Sequence, residues 1–260
     1  MKKITLLFFL IFSFSVFGQT DYSASWEDFY SYNNVKDFVK VDAVIYALAD
    51  NAVFTYNINS QEIQKFSSIQ GLSGETTSSI YYSAAFQRLV IGYQNGLIEV
   101  VDNDGSITIS SDIVSFNQNG AKSINHISEY NNKLYLSTPF SIVEYDIENL
   151  EFGDTFFIGN NSSDVGVNET LIFNETIYAA TDDGIFSAEI NNDLLIDFNF
   201  WEQRYVGTRF KAIRVFNDKI YTTTDTELFL VNGANLVSQT NFLQSIKGLK
   251  NTATHLSVAL

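Results

Sequence analysis

His126 and His255 are the only imidazoles in this 260-residue chain. A general base or a zinc centre would need one of them beside a nucleophile or further ligands. His126 lies in Ser123-Ile-Asn-His-Ile127, an alternating segment that reads as a strand, where a packed or solvated histidine is the ordinary outcome. His255 stands near the end of the sequence with no ligand-type neighbour. Cysteine is absent, which removes thiolate nucleophiles, cysteine zinc sites, disulfides and lipid attachment. No glycine-rich loop opens a helix and no Gly-X-Ser-X-Gly elbow occurs.

Carboxylates are abundant but poorly arranged. Asp102-Asn-Asp-Gly-Ser106 resembles the start of a calcium loop, yet it lacks the third oxygen ligand and the distant bidentate glutamate. Between two strand-like segments it reads as a hairpin turn. Glu151 with Asp154, or Asp193 with Asp197, is the kind of pair a glycosidase uses. In so acidic a chain such pairs are commonplace. Tyr81-Tyr82, Phe156-Phe157 and Phe198-Asn-Phe-Trp201 offer rings for stacking on a sugar, although a core of short sheets consumes aromatics just as readily. No residue is assigned a catalytic, cofactor-binding or metal-ligating role.

The elements that carry these residues are set by a repeat. Five ten-residue windows align without gaps: Ile45–Phe54, Leu89–Ile98, Leu134–Val143, Ile177–Phe186 and Ile220–Phe229, at intervals of 44, 45, 43 and 43 residues. A fixed period in the forties marks units that bury their apolar surfaces only against one another. Each window reads as a strand, a polar turn and a return strand; Asn95-Gly96 and Asp183-Gly184 supply turns in which glycine takes positive φ. Glu62–Phe66 and Ser106–Ile109 read as strands that follow a hairpin, and Ser123–Ile127 and Ala212–Phe216 as strands that precede one. The lone proline, Pro139, sits in a turn, where no ladder bond is lost. Four short antiparallel strands per repeat, with no helical periodicity, predict an all-β propeller.

The expected organisation is a signal peptide over residues 1–18, then an incomplete propeller over 19–260. Its blades are expected at about 35–78, 79–122, 123–166, 167–209 and 210–250, with the start of a sixth at 251–260 and His255–Leu260 as its first strand. A chain that stops inside a blade is expected to be a piece of a longer one, because an open ring exposes sheet edges and apolar faces. Lys2-Lys3, the apolar run Ile4–Phe17 and the small residues at Val16 and Gly18 predict export with cleavage before Gln19. The composition suits a bacterial envelope. A formal charge of −15 argues against nucleic acid and against unaided binding to anionic lipid. It is compatible with neutral sugars, or with anions bridged by a divalent metal.

With the blades laid out, the chain resembles the N-terminal propellers of the PorZ family, accessory proteins of type IX secretion in Bacteroidetes. The resemblance is carried by Trp26–Val35, Gln70-Gly-Leu-Ser73, Leu89–Ile98, Ser111-Asp-Ile113, Lys122-Ser-Ile-Asn125, Asp154–Gly159 and Ile177–Ile185. The first and fifth windows depart from it in their turns, with Asp50-Asn-Ala52 and Thr226-Glu227. The resemblance implies a larger protein with two propellers and a sandwich domain. It further implies a cell-surface attachment complex with PorU, PorV and PorQ partners, and recognition of anionic lipopolysaccharide. No sugar-contact motif maps onto these residues.

Three functions follow for testing: a non-enzymatic secretion accessory that binds protein or lipopolysaccharide, the sensor ectodomain of a hybrid two-component regulator, and a polysaccharide-active enzyme built on Glu151 or Asp154. No cofactor is implied. The propeller fold alone does not choose among them.

Overall fold

The structure, a computed structural model, describes residues 29–260. The expected signal peptide and Trp26–Asp28 lie outside the described residues. The first sheet contains β1 (Asp37–Val41), β2 (Val44–Leu48), β3 (Val53–Asn57) and β4 (Ile63–Phe66). The second contains β5 (Thr77–Ser83), β6 (Arg88–Tyr93), β7 (Ile98–Val101) and β8 (Ile107–Ser110). The third is β9 (His126–Tyr130), β10 (Lys133–Ser137), β11 (Ile142–Asp146) and β12 (Glu151–Phe156). The fourth is β13 (Val167–Phe173), β14 (Thr176–Thr181), β15 (Gly184–Glu189) and β16 (Glu202–Arg204). The fifth is β17 (Ala212–Phe216), β18 (Lys219–Thr223), β19 (Glu227–Asn232) and β20 (Asn235–Asn241), and a sixth sheet pairs β21 (Gly248–Asn251) with β22 (Leu256–Ala259). Every four-stranded sheet is an antiparallel meander in sequence order, as the repeat predicts.

Each ten-residue window begins one residue inside the second strand of its sheet and ends within the third. These strands are apolar at consecutive positions because both of their faces are covered. In β10, Leu134 and Leu136 pack with Val90, Ile98 and Ile124 toward the second sheet. Tyr135, between them, packs with Val167 and Ile177 toward the fourth. The core is therefore a series of separate clusters, one between each successive pair of the first five sheets. Each large aliphatic side chain sealed there contributes about 1.5–3 kcal/mol.

The sheets are also clasped by polar groups. Lys36 Nζ donates to the carbonyl of Thr77 (2.8 Å), Ser78 Oγ to Ile124 (2.8 Å), Asn125 Nδ2 to Val167 (2.8 Å), Asn168 Nδ2 to Phe210 (2.8 Å) and Lys211 Nζ to Ile246 (2.7 Å). Each acceptor directly precedes the next donor in that series, up to Ile246. The acceptor's own N–H returns to the preceding sheet: Ile124 to Tyr93 (3.1 Å), Val167 to Thr138 (2.9 Å) and Phe210 to Thr181 (2.9 Å). Those three acceptors are fully buried, so the paired bonds satisfy backbone groups that water cannot reach.

Two strand expectations are corrected. Only His126 and Ile127 of Ser123–Ile127 enter a ladder of β9, because Ile124 and Asn125 are taken up by the clasp. His255–Leu260 is not the first strand of the sixth sheet: β22 is its second, paired with β21, so that Leu249 faces Val258. The expected limits at 78/79 and 250/251 fall inside β5 and β21. Among the described residues the α-helical content is one turn, Asp112–Ser115, and no helix is long and apolar enough to cross a membrane.

Candidate functional site

First strands line the centre of the molecule, where a cavity of about 1120 Å³ opens. Asp37, Ser79, His126, Glu169 and Ala212 form one layer of the first strands, and all but the buried Ser79 line the cavity. Each pairs with the fourth residue of its window, respectively Leu48, Gly92, Ser137, Ala180 and Thr223. Small side chains dominate the second-strand positions because neighbouring sheets approach closely. A Cβ on Gly92 would stand 2.4 Å from Ser79 Oγ and 2.7 Å from Ile124 Cβ.

Charge in this layer is paired across sheets. Arg214 of β17 bonds Glu169 of β13, and its Nη2 lies 3.4 Å from His126 Nε2 of β9. Lys250 of β21 meets Asp37 of β1 at 2.6 Å, which ties the sixth sheet to the first. An arginine only donates, so the Arg214 contact draws on the lone pair of Nε2, which also lies 3.7 Å from Glu169 Oε1. Burial first, then the positive charges of Arg214 and Lys250, hold the His126 pKa well below its ordinary value. Burial also brings Arg214 down to about 10, against the opposing pull of Asp37. At the rim, Lys36 pairs with Asp50 (3.1 Å), Arg209 with Asp182 (2.7 Å) and Lys211 with Asp225 (3.1 Å). The cavity's cations are thus largely committed to carboxylates, and the arrangement stiffens a channel more than it offers a reactive group.

The residues weighed from sequence scatter. His126 reaches the cavity, whereas His255 lies in the β21–β22 turn, where its Nδ1 sits 2.8 Å from Thr254 Oγ1. Asp102–Ser106 is the turn joining β7 to β8; Asp102 Oδ1 is held by Arg88 at 2.7 Å and Asp104 accepts the N–H of Ser106. Glu151 and Asp154 are exposed on β12. Asp193 is exposed in the β15–β16 connection, and Asp197 there accepts the N–H of Asn199. Of the aromatics, Phe156 and Trp201 are buried core residues, whereas Phe200 is exposed. Tyr82 stacks with Tyr46 across the first two sheets.

The clasp donors and the Asp37–Lys250 pair were missed by sequence reasoning. Their signal is position: the donor stands nine residues ahead of the window in four repeats and eleven in the second, where the turn between Ser83 and Arg88 is two residues longer than its counterparts. The motifs behind the family resemblance also have structural explanations. Gln70 closes a capping box with Ser67, Gly71 ends that turn at φ 108° and Leu72 is buried. Ser73 donates its N–H to Glu99 at 2.8 Å. Lys122 caps the turn around Val114 and Phe116, and Asn125 is a clasp.

Meandering four-stranded sheets set radially around a polar cavity define a β-propeller. The chain belongs to the PorZ N-terminal β-propeller domain family of type IX secretion, whose profile matches residues 45–202. Among solved structures it is similar to PorZ of Porphyromonas gingivalis, with a TM-score of 0.73 at 18% identity over 86% of this chain and 30% of that one. It is also similar to the extracellular domain of a protein of B. thetaiotaomicron described as a hybrid two-component system: TM-score 0.67, 16% identity, 89% of this chain and 33% of that one. BamB of Moraxella catarrhalis shares the fold at a TM-score of 0.54 and 11% identity, over 85% of this chain and 65% of that one. The chain spans about a third of the length of the first two. No curated protein matches the sequence.

Proposed function

We propose that this chain is a non-enzymatic accessory propeller of type IX secretion, exported to the bacterial surface, that works by binding. The family match over residues 45–202 carries this reading. The mutual pairing of charge around the cavity supports it, since a general base poised for turnover is hard to build from groups already committed to partners. Partners of the PorU, PorV and PorQ type are the expected ligands. Contact with anionic lipopolysaccharide needs a divalent cation as a bridge, given a net charge of −15.

Deleting the segment that encodes residues 29–260 from the chromosomal gene, and following attachment of secreted cargo to the cell surface, tests the proposal. Loss of attachment, with cargo released or retained, is expected; unchanged attachment would sink it. Co-purification with and without a chelator separates protein partners from cation-bridged lipopolysaccharide. The likeness to the two-component extracellular domain keeps a sensor reading in view. A membrane span and kinase region in the same gene would favour that reading and end the secretion one.

A further inference from the structure

The interface between the first and second sheets differs at its outer end from the interface between the second and third. Arg88, the first residue of β6, reaches out of its own sheet, and its guanidinium donates to the carbonyls of Ile147 and Glu148 (3.1 Å for the latter). Its Nε holds Asp102 at 2.7 Å. The equivalent residue of the first sheet, one place ahead of its window, is Val44. Valine is too short to cross, and a cleft of about 340 Å³ opens between the two sheets.

Its floor includes Tyr46, Tyr82 and Leu89, with the two phenol rings offset at 6.2 Å and inclined by 18°. Around it stand Asn57, Gln64, Gln87 and Asp102. Asn57 Oδ1 is used by the N–H groups of Asn59 (2.9 Å) and Ser60 (3.1 Å), so its Nδ2 is the end offered as a donor. Aromatic faces accept the C–H face of a sugar ring, while amides and carboxylates accept and donate to neighbouring hydroxyls. The volume lies near the lower end for small-ligand clefts, room for one ring with the rest of a chain trailing into solvent. Glu62 and Lys65 line it together, and Asp102 is already paired with Arg88, so the cleft offers no surplus of positive charge to a phosphate or uronate.

We propose that the cleft between the first and second sheets binds a single neutral pyranose at the end of a glycan chain. The site goes beyond the secretion reading and stands or falls separately from it. The glycan's ring lies against Tyr46 and Tyr82, and its hydroxyls meet Asn57, Gln64 and Asp102.

The test is saturation-transfer NMR on the chain, titrated with the methyl glycosides of glucose, galactose, mannose and N-acetylglucosamine. Glucuronic acid and glucose 6-phosphate serve as charged counterparts. At least one neutral glycoside should saturate with a dissociation constant of about 1–10 mM and shift the ring signals of Tyr46 and Tyr82. Charged counterparts should bind at least about tenfold more weakly. Val44→Arg, which copies the plug supplied by Arg88, should abolish binding while leaving the melting temperature unchanged or higher. Tyr82→Leu and Gln64→Ala decide the matter if that variant folds poorly: each should weaken binding about tenfold or more. The proposal is overturned if no neutral glycoside saturates, if charged sugars bind equally well, or if these variants retain full affinity.

Discussion

Arg214 Nη2 lies 3.4 Å from His126 Nε2, although the strand of Glu169 stands between theirs in the ring. The contact crosses the cavity and fixes a neutral imidazole against a cation. In the unfolded chain His126 takes its ordinary value near 6.5. Below that pH the unfolded state binds a proton that the folded state refuses.

Stability should therefore be insensitive to this group above about pH 6.5 and fall as the pH drops below it, by at most about 1.4 kcal/mol per pH unit. The loss shrinks to the extent that water reaches the ring, which is 22% exposed. Urea titrations between pH 7.5 and 5 on the protein and on His126→Asn check this. The variant should lose part of the acid slope, and an identical slope in both would refute the assignment.

Asn168→Ala removes the donor to a carbonyl on the wholly buried Phe210. The expected cost is about 1–3 kcal/mol in chemical unfolding, since the acceptor loses its partner without regaining water. Replacing Ser60, on an exposed turn, should cost under about 0.5 kcal/mol. Equal effects at the two sites would show that the clasp carries no stability.

Gly92→Ala should destabilise by about 1–3 kcal/mol, because the added carbon meets Ser79 and Ile124 inside van der Waals distance. Ile124 cannot easily retreat, as its N–H is bonded to Tyr93. Calorimetry reads the loss directly; a neutral result would mean that the sheets have slack there.

Glu99 is wholly buried, accepting the N–H of Ser73 at 2.8 Å and the hydroxyl of Tyr93. Burial first, then the bond to Glu99, pushes the Tyr93 phenol well above its usual value. Glu99→Ala should cost about 3 kcal/mol and loosen the Gly71-Leu72-Ser73 segment, seen as faster amide exchange there. Glu99→Gln keeps an acceptor and should cost roughly half as much.

The second and third strands were legible because burial on both faces makes them apolar whatever their phase, and because turns such as Asp182-Asp183-Gly184 punctuate them. Gly184 has φ 93°, and a Cβ there would touch the carbonyl of Arg204, so the glycine is demanded by backbone approach. The clasps were illegible for the opposite reason. Lysine, serine and asparagine all reach the next carbonyl, so no single residue type recurs. The layer of first-strand residues likewise changes from Asp37 to Ser79 to His126. Strand β21 was hidden because Leu249 is its only apolar residue of any size. The cleft beside Val44 depends on what a neighbouring sheet fails to supply, which one strand's pattern does not record.

The five donors all point forward along the chain, each sheet gripping its successor and none its predecessor's predecessor. Cooperativity carried by these clasps passes from neighbour to neighbour. A lesion in one sheet should release the two junctions that flank it and leave distant ones intact. Damage of this kind spreads along the ring as a seam opens, stitch by stitch.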